Sequence, residues 1–351
     1  MRKFFVLWLI VTCTFSFHYS QEKALCLIMT SGLKWVEGSP LVINETGHAY
    51  VYNDKIYFVG QYSVQEYDPE RGNWIRIKET GLGYRSYRGG SALIGDKIYI
   101  IHGWSGEKSK IYDITKDSIS TFTRPPTNRL DVAVAAVNDI LYVSGGWLSG
   151  TSMAITKVEA YNPKNDTWWT VSPMGTSRRM HEMVGIGGYL YVIGGYTGWG
   201  FINVTTSVER YNPLTDEWEY MKANDYEYHQ CGSTTKGDDQ IIVSNVTHTS
   251  IFDVSKNTWN SWESLLYEDI IPVNPDYKGG FFANSLVCLD QTVFSIGLRD
   301  APGNYYAYVW TLDLAQSINN DEITSGYNIF FLLLGITIVT ISVKKGRKKF
   351  Y

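Results

Sequence analysis

Between residues 35 and 313 the apolar residues fall into short runs separated by turn-forming ones. One kind of run is almost continuously apolar and ends in glycine: KIYFVGQ with Gly60, KIYIIHG with Gly103, ILYVSGG with Gly145 and Gly146, YLYVIGG with Gly194 and Gly195. These runs are too short for buried helices and predict strands covered on both faces. After a variable loop a second kind follows, with an aromatic, a turn, and a Trp seven residues beyond the aromatic. It reads VQEYDPERGNWIRI (Tyr67, Trp74), VEAYNPKNDTWWTV (Tyr161, Trp168) and VERYNPLTDEWEYM (Tyr211, Trp218). The second copy, SKIYDITKDSISTF, keeps Tyr112 but has Ile119 at the Trp position. A fifth reads QIIVSN, then TSIFDVSKNTWNSW with Phe252 and Trp259. A sixth reads TVFSIG with Gly297, then YAYVWTLDL, where the pattern stops.

A period of roughly 40–50 residues marks a repeat architecture. One four-stranded sheet cannot bury both of its faces, and radial stacking of sheets solves this. The units resemble kelch repeats, most closely where Gly-Gly precedes YNP…TW, and the resemblance runs roughly from Trp35 to Asp313. It implies an all-β fold, a six-bladed kelch-like β-propeller over residues 24–315. The sixth unit lacks a Trp strand, while SGLKWVEGSPL carries Trp35 in an orphan strand before the first unit. That N-terminal strand is expected to complete blade six and close the ring.

The two ends predict targeting pieces. Arg2 and Lys3 precede the apolar stretch Phe4–Phe17, and residues 1–20 read as a signal peptide. Residues 316–326 form a stalk. Residues 327–343, YNIFFLLLGITIVTISV, carry no charge and would span about 26 Å as a helix. The basic tail 344–351 predicts a type I orientation, with the ring outside or lumenal. Lys348 and Lys349 stand four and three places from the end, as in dilysine retrieval signals that contact a cytosolic coat. The other reading is that they only fix topology. Location in the endoplasmic reticulum or elsewhere in the secretory pathway follows, with the plasma membrane as alternative.

Composition refines this picture. The 26 Tyr and 12 Trp suit many short packed strands rather than a disordered chain. Setting aside Arg2, Lys3 and five basic tail residues leaves 24 basic against 35 acidic groups, a body of charge −11. Phosphate repulsion makes such a body a poor partner for nucleic acid. Cys26, Cys231 and Cys288 allow one disulfide, with no pairing specified. No Cys/His cluster predicts a metal, and no cofactor is expected. Sequons at Asn44, Asn165, Asn203 and Asn245 fit a glycosylated lumenal body.

The segments entering each innermost strand carry Arg88, Arg129, Arg178, Arg179, His181 and His229. Arg88, Arg129 and Arg179 stand at comparable places. In kelch-like propellers this position lies at the mouth of the central channel, where an Arg crown would take an acidic or anionic ligand. Alternatively these residues bond to neighbouring blades. The long loops 145–157 and 194–207 offer Trp147, Tyr196, Trp199 and Phe201 as exposed aromatics for a partner. No catalytic residues are assigned. HExxH, a phosphate loop and a dinucleotide fingerprint are absent from the sequence. The expected function is a lumenal or extracellular module recognising a protein. The alternative is a sugar-active enzyme of sialic-acid-epimerase-like type at the channel mouth, or a glycan-binding module.

Overall fold

The computed structural model describes residues 35–314, apart from 44, 81–88, 102, 104–107, 149, 150, 152, 199–202, 229, 230, 246, 247, 264–280, 302 and 303. Two compact units partition the chain. The ring is Trp35–Thr311, and of the other unit only residues 312–314 are described. The signal peptide, stalk, transmembrane and tail expectations, with Lys348, Lys349 and Cys26, lie outside the described residues. Among the described residues no helix is long and apolar enough to cross a membrane.

Six four-stranded antiparallel sheets form the blades, each ordered from the channel outwards. Blade one is Gly47–Tyr52, Lys55–Gly60, Ser63–Asp68 and Asn73–Glu79. Blade two is Gly90–Ile94, Lys97–Ile101, Ser109–Asp113 and Ser118–Phe122. Blade three is Ala133–Val137, Ile140–Ser144, Val158–Asn162 and Thr167–Val171. Blade four is Glu182–Ile186, Tyr189–Ile193, Val208–Asn212 and Glu217–Met221. Blade five is Gly232–Lys236, Gln240–Ser244, His248–Asp253 and Thr258–Glu263. Blade six is Phe281–Leu289, Thr292–Ala301, Asn304–Asp313 and, outermost, the N-terminal strand Trp35–Glu37. The Gly38 N–H donates to the Val309 carbonyl at 2.8 Å. The ring therefore closes as the orphan Trp35 strand predicts.

The apolar runs are the second strands, and they are the best covered. Ile56, Phe58, Ile98, Leu141, Val143, Leu190, Val192, Ile241 and Val243 all lie at zero exposure. They pack from blade to blade, as Leu190 and Val192 of blade four do against Ala133, Ala135 and Tyr142 of blade three. Each fully buried side chain of this size stabilises by about 1.5–3 kcal/mol relative to exposure.

The spacing of seven has a geometric cause. It places Tyr and Trp directly opposite on adjacent strands, as in Tyr67 and Trp74, Tyr161 and Trp168, Tyr211 and Trp218, Phe252 and Trp259. In the last three pairs the ring centroids lie 4.9, 4.9 and 4.7 Å apart. In these three the Tyr or Phe is the buried wedge between blades and Trp168, Trp218 and Trp259 are only half-buried, whereas in blade one Trp74 is buried and Tyr67 half-buried. Their indoles do a second job. Trp168, Trp218 and Trp259 donate Nε1–H to the carbonyls of Thr123, Ser172 and Lys222, each the first residue after the preceding blade's outermost strand. The amide N–H of the same three residues donates to Asp166, Asp216 and Asn257. Those acceptors stand five residues after the aromatic, at φ 52°, 56° and 54°. Asp and Asn tolerate that left-handed conformation and supply the acceptor. A two-bond latch thus joins blades three, four and five each to the blade before it. In blade two, where Ile119 replaces Trp, Lys78 of blade one reaches Asp117 instead, at 3.1 Å.

The double glycines mark close approaches. A Cβ on Gly145 would overlap the Arg178 carbonyl, and one on Gly194 the Tyr228 carbonyl. Both glycines have positive φ, 56° and 64°. The following glycines use the space for hydrogen bonds, Gly146 N to Arg178 O and Gly195 N to Tyr228 O.

Candidate functional site: the channel and its loop platform

Each blade is entered by a link from the previous outermost strand, and the sequence-predicted Arg residues sit on these links. Arg129 is buried. It donates Nη1 to the Lys157 carbonyl, and Nη2 to the Val143 carbonyl and to Glu159, the last at 3.1 Å. Arg178 repeats this arrangement one blade on, donating to the carbonyls of Gly194 and Ser207 and to Glu209 at 2.7 Å. The repeat equivalent of Arg129 is therefore Arg178, and the expected match with Arg179 is one residue out of register. Glu159 also accepts from Thr127, and Glu209 from the Gly175 and Thr176 amides. In blade one the charges are redistributed, with Glu45 on the link and Gln65 on the third strand, bonded at 3.0 Å.

Burial pushes Arg129 down to about 10 and lowers Arg178 as well, and both stay cationic at neutral pH. Their charge is spent inside the blade. They clasp each link to its own blade and present nothing to a ligand. The alternative expectation had them bond to neighbouring blades, whereas both bond to the blade they enter. Arg179 is also buried, 3.8 Å from Asp131, with its guanidinium 5.6 Å from the centre of the Trp147 ring. His181 is buried, its Nε2 2.8 Å from the Ser144 hydroxyl. Burial and the neighbouring Arg178 and Arg129 charges hold His181 well below the usual imidazole range, hence neutral. Arg88, Trp199, Phe201, His229 and Asn44 lie outside the described residues.

The long loops are more ordered than their composition implies. Trp147–Leu148 pairs with Arg129–Leu130, and Tyr196–Thr197 pairs with Asn203–Val204. Isolated bridges then join Ile155 to Arg178 and Arg179 to Tyr196. Ala154 N–H donates to the Gly198 carbonyl at 3.3 Å, tying one loop to the other. The result is a knitted platform over blades three and four. Tyr196 is buried in it and Trp147 half-buried, so these aromatics hold the platform rather than stand free. Among its described residues, Met153 is the large apolar side chain it exposes, at 58 %. Asn165 and Asn203 are exposed, whereas Asn245 is half-buried and donates its side-chain amide to the Glu227 carbonyl. Cys231 and Cys288 are both free thiols.

A cavity of about 700 Å³ occupies the channel, lined by the innermost strands of all six blades. Among the described residues lining it there is no Lys or Arg. Apolar side chains make up most of the lining, and its hydroxyls are those of Tyr50, bonded to Ser91 at 2.8 Å, and of Ser233, Thr234, Thr235 and Ser285. Glu182 accepts from Ser233 at 2.6 Å. It lies deep within the ring yet keeps some accessible surface, because the channel itself reaches it. Burial pushes its carboxyl up to about 8, against the Ser233 hydrogen bond, and pushes His48 down to about 4. Among the described residues no group of three or more His, Cys, Asp or Glu could hold a metal ion.

The Kelch motif matches residues 128–175 and 177–223, each one link with its blade. The ring is a kelch-repeat propeller. Kelch-like protein 26 of Danio rerio is 32 % identical over 164 residues, which cover 45 % of this chain and 27 % of that protein. Kelch-like protein 23 of Homo sapiens is 26 % identical over 205 residues, 54 % of this chain and 35 % of that one. The chain thus spans about a third of the length of these curated relatives. The solved structure of YjhT superposes with a TM-score of 0.51 and 17 % identity, covering 62 % of this chain and 73 % of that one, and shares the fold.

Proposed function

We propose that this kelch ring is a non-catalytic binding module that recognises a protein partner through the platform over blades three and four. The knitting of the two loops carries this reading. A surface ordered before binding loses little conformational entropy on association, and Met153 offers an apolar anchor within a polar rim. Similarity to kelch-like proteins supports it. The apolar terminal segments of the sequence support a lumenal or extracellular ring, with exposed Asn165 and Asn203 as glycan acceptors. Proximity labelling from the full chain tests the platform. Neighbours recovered with the wild type should be lost with Met153→Asp while thermal stability is unchanged; identical neighbours would sink the reading. A mass shift on enzymatic removal of N-glycans tests the location.

A second reading has its own observation. The channel carries hydroxyls, the carboxyls of Glu182 and Asp131 and no Lys or Arg among its described lining residues, and fits a small polar ligand such as a sugar. This chemistry disfavours an acidic sugar, for which no described cation stands ready.

A further inference from the structure

We infer that the channel site around Glu182 takes a polyhydroxylated ligand bearing a protonated amine, an amino sugar in chemical class. This rests on the second reading above and names its ligand. The cavity of about 700 Å³ is the size of a small-molecule site. Its walls offer two kinds of partner. The hydroxyls of Tyr50, Ser91, Ser233, Thr234 and Thr235 both donate and accept, as a sugar ring's hydroxyls require. Glu182 supplies a carboxyl that releases its proton to solvent when an ammonium binds beside it. One carboxylate oxygen takes the Ser233 hydroxyl, and no basic side chain among the described lining residues neutralises it.

Among the described residues, three carboxylates buried in the links and third strands are matched by cations, whereas Glu45 meets Gln65 and backbone amides. Glu159 meets Arg129 and Lys157, Glu209 meets Arg178, and Asp131 meets Arg179. Glu182 faces the channel with no Lys or Arg among the described lining residues, and burial makes its carboxyl hold its proton near neutrality. A ligand ammonium would provide that cation, and its hydrogen bonds would be charge-assisted. Tyr50 faces the same space from blade one and feels the Glu182 charge, so a ligand held at Glu182 lies within reach of both sides of the channel.

The test is calorimetric titration of the full chain at pH 7 with D-glucosamine, D-glucose and D-glucuronate. Glucosamine should bind at least about tenfold more tightly than glucose, the value of one extra charge-assisted contact. Glucuronate should not bind. Glu182→Gln keeps an acceptor for Ser233 and should reduce glucosamine to the level of glucose. Equal binding of glucose and glucosamine, or a preference retained in the variant, overturns the amine assignment while leaving a sugar site. Tighter binding of glucuronate overturns it too. Failure of all three to bind removes the channel reading as well. The wild-type comparison decides by itself if the variant does not fold. The proximity-labelling result is independent of all these outcomes.

Discussion

Arg178 and Glu209 meet at 2.7 Å with side-chain exposures of 0 % and 1 %. The pair joins a link to the third strand of the blade it enters, and Arg129 with Glu159 repeats it one blade earlier. Removing one member leaves the other buried and uncompensated. Arg178→Met should therefore cost about 3–5 kcal/mol, read as a lower urea midpoint. The double variant Arg178→Met/Glu209→Leu should recover part of that loss. Recovery stays partial because the Gly194 and Ser207 carbonyls also lose their donor. An unchanged midpoint for the single variant would show that the pair is not a clasp.

The inter-blade latch makes a ranked expectation. Trp218→Phe keeps the ring packed on Tyr211 but removes the donor to Ser172, and should cost about 1 kcal/mol. That corresponds to roughly 2–4 °C in Tm for a domain of this size. Asp216→Ala orphans both the Tyr211 hydroxyl and the Ser172 amide and should cost more. Calorimetry of the two variants gives the order.

Two glycines with similar backbone geometry should behave differently. Gly188 and Gly194 have φ of 82° and 64°. A Cβ on Gly188 meets nothing within 4 Å, so Gly188→Ala should cost only the left-handed conformation, about 1–2 kcal/mol. Gly194→Ala adds an overlap with the Tyr228 carbonyl and should cost about 1–3 kcal/mol beyond that. Equal midpoints for the two variants would refute the close approach.

Stability should depend on pH through Glu182. Its carboxyl is raised from an ordinary 4.5 to about 8 in the folded ring, so the native state binds the proton more tightly than the unfolded chain. Its contribution is full below the unfolded value and is lost as pH rises towards 8. His48 works the other way, depressed from 6.5 to about 4, and His181 is depressed in the same direction. Their contribution is lost as pH falls below 6.5. Between pH 6.5 and 8 Glu182 acts alone among these three channel residues. Urea midpoints in that window should fall with rising pH in the wild type, and Glu182→Gln should flatten the slope.

Much of the ring was legible because its repeat is made of bulky side chains at fixed spacing. Tyr161 and Trp168 announce a blade by themselves, and the missing Trp of unit six leads directly to Trp35. The latch was less legible. Asp166 and Asp216 read as ordinary turn residues, since nothing in one sequence shows that a turn faces the next blade. The register of the Arg residues was hidden for a related reason. Arg178 and Arg179 are adjacent, and only the matching bonds to Glu159 and Glu209 tell which one repeats Arg129. Blades five and six were faint because Ser250 and Ser295 fill buried places where other blades show larger groups. The channel itself was expected, but its lining was less legible, for Tyr50, Glu182 and Ser233 are brought together only by closure of the ring.

That closure has a consequence in time. The strand Trp35–Glu37 and its hydrogen-bond partner at Val309 are about 270 residues apart in the chain. At synthesis rates of about 5–20 residues per second, the first strand waits on the order of 15–55 s for its sheet to exist. Until then it is an unclaimed edge, open to the wrong neighbour. Its length of three residues, with Pro40 close behind, gives a mistaken pairing little to hold. The brevity of the closing strand is thus a safeguard during synthesis, and the ring is sealed by its oldest residues last.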